Sequence, residues 1–265
     1  MKIATWNVNS LTARHQHVLN WLAGQPEDAP VDVLCLQELK MTDDKFPLEA
    51  LAAAGYAHCA VFGQKTYNGV AIVSRHPLSE VTRNIEGFAD EQSRVISATV
   101  QAPGAEPLRV INGYFVNGQE PGSEKFVYKM AWLDALHRQV GAELARHPQL
   151  VLLGDFNITP EDRDSYDPEG LRETIHHTTE ERRHFQALLA LGLTDAYRLF
   201  EQPAKSFSWW DYRMLGFQKN RGLRIDHILV SAPLLGQVQA CTIDRAPRKW
   251  EKPSDHAPVT VTLQA

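Results

Sequence analysis

Short runs of Val, Leu and Ile recur along the chain between polar, glycine- or proline-bearing breaks, and runs of this length read as strands buried on both faces. They fall at residues 2–8, 31–37, 69–74, 95–101 and 109–115, then at 149–153, 207–211, 224–231 and 259–263. Helical spacing takes over between some of them. Residues 17–22 lead to Gly24 and residues 46–54 to Gly55, both glycines placed to end a helix. The longest periodic stretch is 124–146, with Phe126, Met130, Leu133, Leu136, Val140 and Leu144 at helical spacing. Residues 179–191 form a further helix stopping at Gly192, with Thr178 or Thr179 as N-cap ahead of Glu180 and Glu181.

Strands outnumber helices and come both as consecutive hairpin-like runs and in βα alternation. This predicts a mixed α/β fold with two packed sheets covered by helices. No glycine fingerprint follows the first strand, which speaks against a Rossmann-type sheet. The Pro- and Gly-bearing stretches at 25–30, 103–107, 118–122 and 165–170 read as loops within one domain spanning 1–265.

Composition narrows the class. With 265 residues, 43% hydrophobic and 22% charged, the chain is that of an ordinary soluble globular protein able to bury a substantial core. Met1-Lys2 runs directly into Ile3-Ala4-Thr5-Trp6, so no signal peptide is expected, and no apolar run reaches the roughly 20 residues needed to span a bilayer. Cys35, Cys59 and Cys241 are odd in number and widely spaced, as reduced thiols of a cytoplasmic protein would be, and they give no zinc spacing. The net charge of −5 hides two basic stretches. Between residues 205 and 224, Lys205, Arg213, Lys219, Arg221 and Arg224 face Asp211 alone; between 245 and 252, Arg245, Arg248, Lys249 and Lys252 face Glu251. Aromatic residues Trp209, Trp210, Tyr212 and Phe217 interleave the first stretch, a combination suited to focusing a polyanion.

The candidate chemistry sits at strand rims. Leu36-Gln37-Glu38, Gly154-Asp155-Phe156-Asn157 and Ser254-Asp255-His256-Ala257-Pro258 each follow or precede an apolar run, and Asn7 closes a fourth. A polar group there is costly unless something uses it, and hard oxygen donors of this kind suit Mg²⁺ and a phosphate. Asp155-Phe156-Asn157 reads in two ways. If extended, both polar side chains share a face while Phe156 packs inward; Asp-x-Asn after Gly154 is equally a turn sequence. Asp226, interrupting the apolar segment 222–230, needs a buried partner, and an imidazolium at His256 fits, with the acid orienting the histidine. Tyr114, taken alone, is a packed strand aromatic. No nucleophile elbow or reactive-cysteine signature points to covalent catalysis.

Together these residues resemble the exonuclease III-type enzymes of the endonuclease/exonuclease/phosphatase superfamily. The likeness runs in order through Thr5-Trp6-Asn7-Val8-Asn9-Ser10-Leu11, Leu36-Gln37-Glu38-Leu39-Lys40, Tyr67-Asn68-Gly69-Val70-Ala71-Ile72 and Asn112-Gly113-Tyr114. It continues through Gly154-Asp155-Phe156-Asn157, Phe207-Ser208-Trp209, Asn220-Arg221-Gly222-Leu223-Arg224-Ile225-Asp226 and Lys252-Pro253-Ser254-Asp255-His256-Ala257-Pro258. The resemblance implies a four-layer α/β sandwich with its site at one end of two sheets. It implies Mg²⁺-dependent DNA phosphodiester cleavage, with Mn²⁺ able to substitute: 3′→5′ exonuclease action, removal of 3′ blocking groups and incision at abasic sites. Carried over by position, Glu38 is the principal metal ligand, with Asn7, Asp155, Asn157, Asp255 and His256 in the metal's neighbourhood. Asp155 activates water, Tyr114 and Asn157 stabilise developing charge, and His256 does so supported by Asp226. The DNA contacts implied are Asn9, Lys40, Asn68, Arg94, Asn117, Lys125 and Arg213, with Trp209 lining a pocket for an extruded sugar and Leu223 and Ile225 as its wall. The expected partner is double-stranded DNA with 3′ ends, nicks or abasic sites, engaged by a cytoplasmic, nucleoid-associated monomer with no membrane contact.

Three departures stand out. Val116 occupies a position where proline is frequent, Trp210 one where Phe is commoner in bacterial relatives, and His176-His177-Thr178-Thr179 does not match the usual loop. Bulky imidazoles there would narrow access for an abasic sugar, so the expectation is a bias towards 3′-end processing. Two other readings compete: a phosphatase of inositol lipids or another small phosphodiester, and a non-catalytic paralogue. The aromatic-basic stretch argues against the former, and the full set of polar site residues against the latter.

Overall fold

The runs buried on both faces become the central strands of two sheets. The computed structural model describes residues 1–264. Its first half runs β1 (Lys2–Asn7), α1 (Leu11–Ala23), β2 (Val33–Gln37), α2 (Leu48–Ala53), β3 (His58–Phe62), β4 (Val70–Ser74), β5 (Leu78–Arg83), β6 (Val95–Val100) and β7 (Leu108–Tyr114). Then follow α3 (Glu124–Arg146), β8 (Leu150–Asp155), α4 (Thr179–Ala190), β9 (Leu193–Asp195), β10 (Trp209–Trp210), β11 (Gly222–Leu223), β12 (Asp226–Ser231), β13 (Val238–Ile243) and β14 (Val259–Leu263). One six-stranded sheet has the order β13-β14-β1-β2-β4-β3 and the other β5-β6-β7-β8-β12-β9. Each contains one parallel pair, β1 with β2 and β7 with β8; every other pairing is antiparallel.

A parallel pair needs a crossover, and α1 and α3 supply them. The inner layer joins the sheets through Ile3, Val33 and Ile72 from one and Val110, Leu153 and Ile228 from the other. Trp21 and Leu22 of α1 cover the outer face of the first sheet, and Trp132, Leu136 and Phe185 of α3 and α4 cover the second. Each such Val or Leu removed from water contributes about 1.5–3 kcal/mol. The result is the helix–sheet–sheet–helix sandwich that the sequence resemblance implies. Among the described residues, no helix is long and apolar enough to cross a membrane.

Differences from the sequence expectations have a common cause. The strands missed are β3, β5, β9 and β13, which are the outermost strands of the two sheets, together with the two-residue β11. β5 has no apolar run and is exposed from Ser79 to Arg83, and β9 is only three residues long. The expected strand at 207–211 shrinks to Trp209–Trp210, paired with Gly222–Leu223. Helix α1 begins at Leu11, earlier than the expected residue 17, because the Ser10 hydroxyl caps it by accepting from the Ala13 N–H. Helix α3 has the predicted bounds, and α4 carries a Thr178–Glu181 capping box.

A buried ion network braces the second sheet behind its end. The Arg224 guanidinium is 1% exposed; its Nε donates to Asp164 Oδ1 (2.7 Å) and its Nη2 to Asp195 Oδ2 (2.8 Å). Its Nη1 lies 3.0 Å from His227 Nδ1, while His227 Nε2 lies 2.9 Å from the Ile158 carbonyl. A carbonyl only accepts, so Nε2 carries the proton and Nδ1 accepts from Arg224. Burial, reinforced by the Arg224 charge, pushes His227 down to about 4. The unfolded histidine titrates near 6.5, so between about pH 6.5 and 4 unfolding takes up a proton that the folded chain refuses. This contribution is complete above that window and is lost as pH falls through it. In chemical unfolding measured from pH 7 to 4.5, His227→Gln should therefore show a stability slope flatter by up to about 1.4 kcal/mol per pH unit than the unsubstituted protein. Equal slopes would rule this out.

Candidate active site

Strand parity decides which side chains meet. Side chains two apart share a face, so the inner face of β1 carries Ile3, Thr5 and Asn7, and that of β2 Val33, Cys35 and Gln37. On β7 the series is Val110, Asn112, Tyr114, and on β8 Val151, Leu153, Asp155. Apolar core thus gives way to a polar layer and then to a cluster of ionisable groups at the C-terminal ends of both parallel pairs. In the polar layer, Gln37 Nε2 donates to Thr5 Oγ1 (2.9 Å) and, across to the other sheet, to Asn112 Oδ1 (2.8 Å). Asn112 Nδ2 donates back to the Leu36 and Ala71 carbonyls (3.0 and 2.9 Å).

One step further out, Glu38 leaves β2 with φ 53°, and Asn7 Nδ2 donates to Glu38 Oε1 and to Asp155 Oδ2, both at 2.9 Å. The Asn7 Oδ1 is taken by the Asn9 N–H, so Asn7 bridges two carboxylates here and turns its oxygen away from them. Asp226 pairs with Asp155 across β12 and β8, and its Oδ2 lies 2.9 Å from His256 Nδ1. His256 Nε2 faces Asp155 Oδ2 at 3.6 Å. The close approach of β7 and β8 that brings Tyr114 beside Asp155 needs glycine: a Cβ on Gly154 (φ +141°) would stand 1.9 Å from the Gly113 carbonyl oxygen. Asp155-Phe156-Asn157 takes the turn alternative, not the extended one. Asn157 has φ 49° and donates its N–H to Asp155 Oδ1 (3.0 Å), while Phe156 is fully buried against Phe115.

The electrostatics follow from burial among like charges. Burial alone would lower His256, but the carboxylates of Asp226 and Asp155 overcome it and hold the ring as an imidazolium. In that state the ring acts as a donor through Nε2. Burial raises Asp155; the His256 charge opposes this, and Asp226 and Glu38 reinforce it. Tyr114 is driven well above its ordinary value by burial and by the charges of Glu38 and Asp155, and is a neutral phenol. Glu38, Asp155 and His256 place donor atoms within 4.8 Å of one another. The two carboxylates of this set suit a hard divalent cation, since the crowding that raises Asp155 is relieved by a dipositive neighbour. Asp255 lies outside that cluster, with Oδ1 accepting from Asn9 Nδ2 (3.1 Å) and Oδ2 from Trp209 Nε1 (2.9 Å).

The expected polyanion contacts divide into three places. Lys40 is held at the cluster itself, its Nζ 2.7 Å from Asn9 Oδ1 and 3.1 Å from Glu38 Oε2. Asn68, Arg94, Asn117 and Lys125 line one groove of about 660 Å³, with Arg94 stacked over the Tyr114 ring at 4.9 Å. Trp209, Arg213, Leu223, Asn117, His176 and His177 line a second groove of about 870 Å³. Ile225 is a correction: at 2% exposure it is buried and not part of that wall, its N–H bonded to Ser208 Oγ. The basic stretches also need correcting. Arg224 and Arg248 are buried, the latter stacked 4.9 Å over Phe217 with its Nη1 on the Ser254 carbonyl. Lys205, Arg213, Lys219, Arg221, Arg245, Lys249 and Lys252 remain exposed. Ser208, part of the Phe207-Ser208-Trp209 block but given no role there, donates to Asp226 Oδ2 at 2.6 Å; only the fold brings that serine to the acid.

Comparison with known proteins bears on this geometry. The profile of the Endonuclease/Exonuclease/phosphatase family matches residues 4–256. The chain is similar to exodeoxyribonuclease III of Haemophilus influenzae, at 38% identity over 98% of both chains. Among solved structures it is similar to a 3′ phosphatase from Neisseria bound to a product DNA hairpin, at TM-score 0.94 and 50% identity, covering 100% of both. It is also similar to an AP endonuclease from Archaeoglobus fulgidus, at TM-score 0.91 and 34% identity, again over 100% of both.

The donor geometry makes a test of the cation site independent of any reaction. Calorimetric titration with Mn²⁺ should show Glu38→Gln weakening binding about ten-fold or more, the scale attached even to groups outside the ligand shell. Asp255→Asn should cost less, because Asn9 and Trp209 already occupy its oxygens. Equal losses would move the cation to the Asp255 side.

Proposed function

The chain belongs to the endonuclease/exonuclease/phosphatase family and is a hydrolytic DNA-repair nuclease, and from that premise we propose how its own residues cleave a phosphodiester. The observation that carries the reading is the convergence of Glu38, Asp155 and His256, with Asp226 behind the imidazolium. Mg²⁺, with Mn²⁺ as substitute, would be held chiefly by Glu38 with Asp155 beside it, and would supply charge neutralisation at the phosphate and a polarised water.

Asp155 is the base. Burial and its acidic neighbours raise its proton affinity towards that of a useful general base, and the Asn7 amide fixes its orientation. His256 donates Nε2–H to a non-bridging phosphate oxygen, its ring held by Asp226, which Ser208 fixes in turn. Tyr114, kept neutral, donates its O–H to the same developing charge, and the Asn157 carboxamide stands beside it, anchored on the Phe115 carbonyl at 3.0 Å. Duplex DNA with 3′ ends, nicks or abasic sites is the partner, engaged by a monomer whose two grooves flank the site.

The balance of activities favours 3′ ends. His176 and His177 line the groove beside Trp209, where an extruded sugar would have to enter, and His176 is 8% exposed with its Nδ1 2.7 Å from the Asn157 carbonyl. A ring held that firmly does not swing aside. The half-identical Neisseria protein is named a 3′ phosphatase, which supports the same preference.

With Mg²⁺, a duplex carrying a 3′-phosphate should be processed faster than a 5′-labelled duplex with an internal abasic analogue is incised, and EDTA should stop both. Near-equal rates would overturn the preference. Asp155→Asn should lower both by about 10²–10⁴-fold, the range for a general base. Full activity in that variant would remove Asp155 from the mechanism.

A further inference from the structure

A buried ammonium outside the cluster joins two parts of the site that the mechanism treats separately. Lys129 lies in the first turns of α3, between Phe126 and Leu133, on the stripe that faces the core. Its side chain is fully buried, and an ammonium has three donors to satisfy. One goes to the Asn157 carbonyl (2.7 Å), one to the Asn117 carbonyl (3.1 Å) and one to Glu181 Oε1 (2.5 Å). Glu181 is equally buried, and its remaining capacity is also used. Oε1 accepts the His176 N–H (3.1 Å), and Oε2 accepts the Thr178 N–H (3.1 Å) and hydroxyl (2.9 Å).

The pair therefore touches the turn after β8 that carries Asn157, the segment after β7 that carries Asn117, and the loop that carries His176 and His177. The connections continue beyond it. Asn117 Nδ2 donates to Asn157 Oδ1 (3.3 Å), and the Asn157 carbonyl also accepts from His176 Nδ1. His176 has φ 71°, a left-handed backbone that a non-glycine residue keeps only when its surroundings insist. Glu181 also closes the capping box of α4, but a neutral Gln serves that role as well, so the cap does not by itself require a charge at this depth. A buried pair is weak evidence for stability, since apolar side chains of similar size commonly serve as well.

We propose that Lys129 and Glu181 are positioning residues: their buried pair fixes Asn157 beside the phosphate and, through the same contacts, fixes the 176–178 loop at the edge of the sugar groove. The inference rests on the catalytic reading of Asn157. Setting one carbonyl sets the other wall, so catalytic geometry and groove width are coupled through two side chains that never meet substrate.

Three variants test this: Lys129→Met, Glu181→Gln and the double Lys129→Met/Glu181→Gln. The double variant removes both charges and keeps a side chain that can close the α4 capping box, so no buried ion is left alone and it should fold. On a 3′-phosphate duplex its kcat should fall about ten-fold or more with KM changed less than about three-fold, because small displacements of a reacting constellation cost up to about 10² in rate. Its preference for the 3′-phosphate over an abasic duplex should narrow as the loop loosens. Wild-type kcat and preference in a folded double variant would overturn the proposal. Amide hydrogen exchange of the unsubstituted protein is a readout independent of activity and of variant folding. The His176 and Thr178 N–H groups should exchange as slowly as those of β8. Exchange at the rate of exposed loops would also overturn it. If the unsubstituted protein cleaves neither duplex, the catalytic reading fails while the exchange result still decides whether the pair locks the loop.

Discussion

The imidazolium of His256 is the constraint on which the site depends. Asp155 and Asp226 face each other across β8 and β12, both about 1% exposed, and without a positive charge between them they would be two buried carboxylates in one small volume. Leaving a buried charge uncompensated typically costs about 3–5 kcal/mol, so the ring's charge is secured by the fold and not by solvent. The Asn7 amide and the Ser208 hydroxyl share Asp155 Oδ2 and Asp226 Oδ2 with His256, and the Asn157 N–H meets Asp155 Oδ1. Glu38 then adds a third acid at the open side, where the excess negative charge is available to a cation and, through it, to phosphate. The same crowding that makes the cluster expensive makes it useful: it keeps Tyr114 neutral and Asp155 basic.

Topology delivers those groups without any long-range coincidence. Each sheet places one parallel pair at its centre, and a parallel pair puts two strand C-termini at the same end. Parity does the rest, since inward side chains recur every second residue, so that Asn7, Tyr114 and Asp155 continue the apolar series below them. Between core and cluster lies the layer of Thr5, Gln37 and Asn112, whose amides run from one sheet to the other. Those bonds set the separation of the sheets one or two residues before Glu38 and Tyr114. A shift there would carry directly into the cluster.

What the sequence revealed and what it hid follow the same physics. Central strands such as 33–37 and 150–155 are apolar on both faces, and a run of that kind reads plainly. Edge strands such as Leu78–Arg83 and Val238–Ile243 meet water and leave a weaker trace. The polar groups at strand rims were legible because nothing in a core explains them, and Asp226 with His256 because a buried acid needs a counter-charge. Ile225 misled because it stands two residues after Leu223, and nothing in the sequence shows that it falls between β11 and β12, outside either strand. Lys129 and Glu181 left partial signals, a cation inside an apolar helical stripe and the last member of a capping box. Neither signal says that the two meet, 52 residues apart.

The basic stretches show how sequence charge and surface charge part company. Arg224 and Arg248 count towards the cationic character of their segments, yet both are withdrawn from water, the first into an ion network with Asp164 and Asp195, the second onto Trp210, Tyr212 and Phe217. A guanidinium over aromatic faces keeps its charge while giving up most of its hydration, and Arg suits that better than Lys. Through Nη1 on the Ser254 carbonyl, Arg248 steadies the segment that presents Asp255 and His256. Lys205, Arg213, Lys219, Arg221, Arg245, Lys249 and Lys252 are left at the surface of a chain whose net charge is −5. Of these, Arg213 and Arg221 line the groove beside Trp209, so the cationic surface that remains reaches the edge of the site.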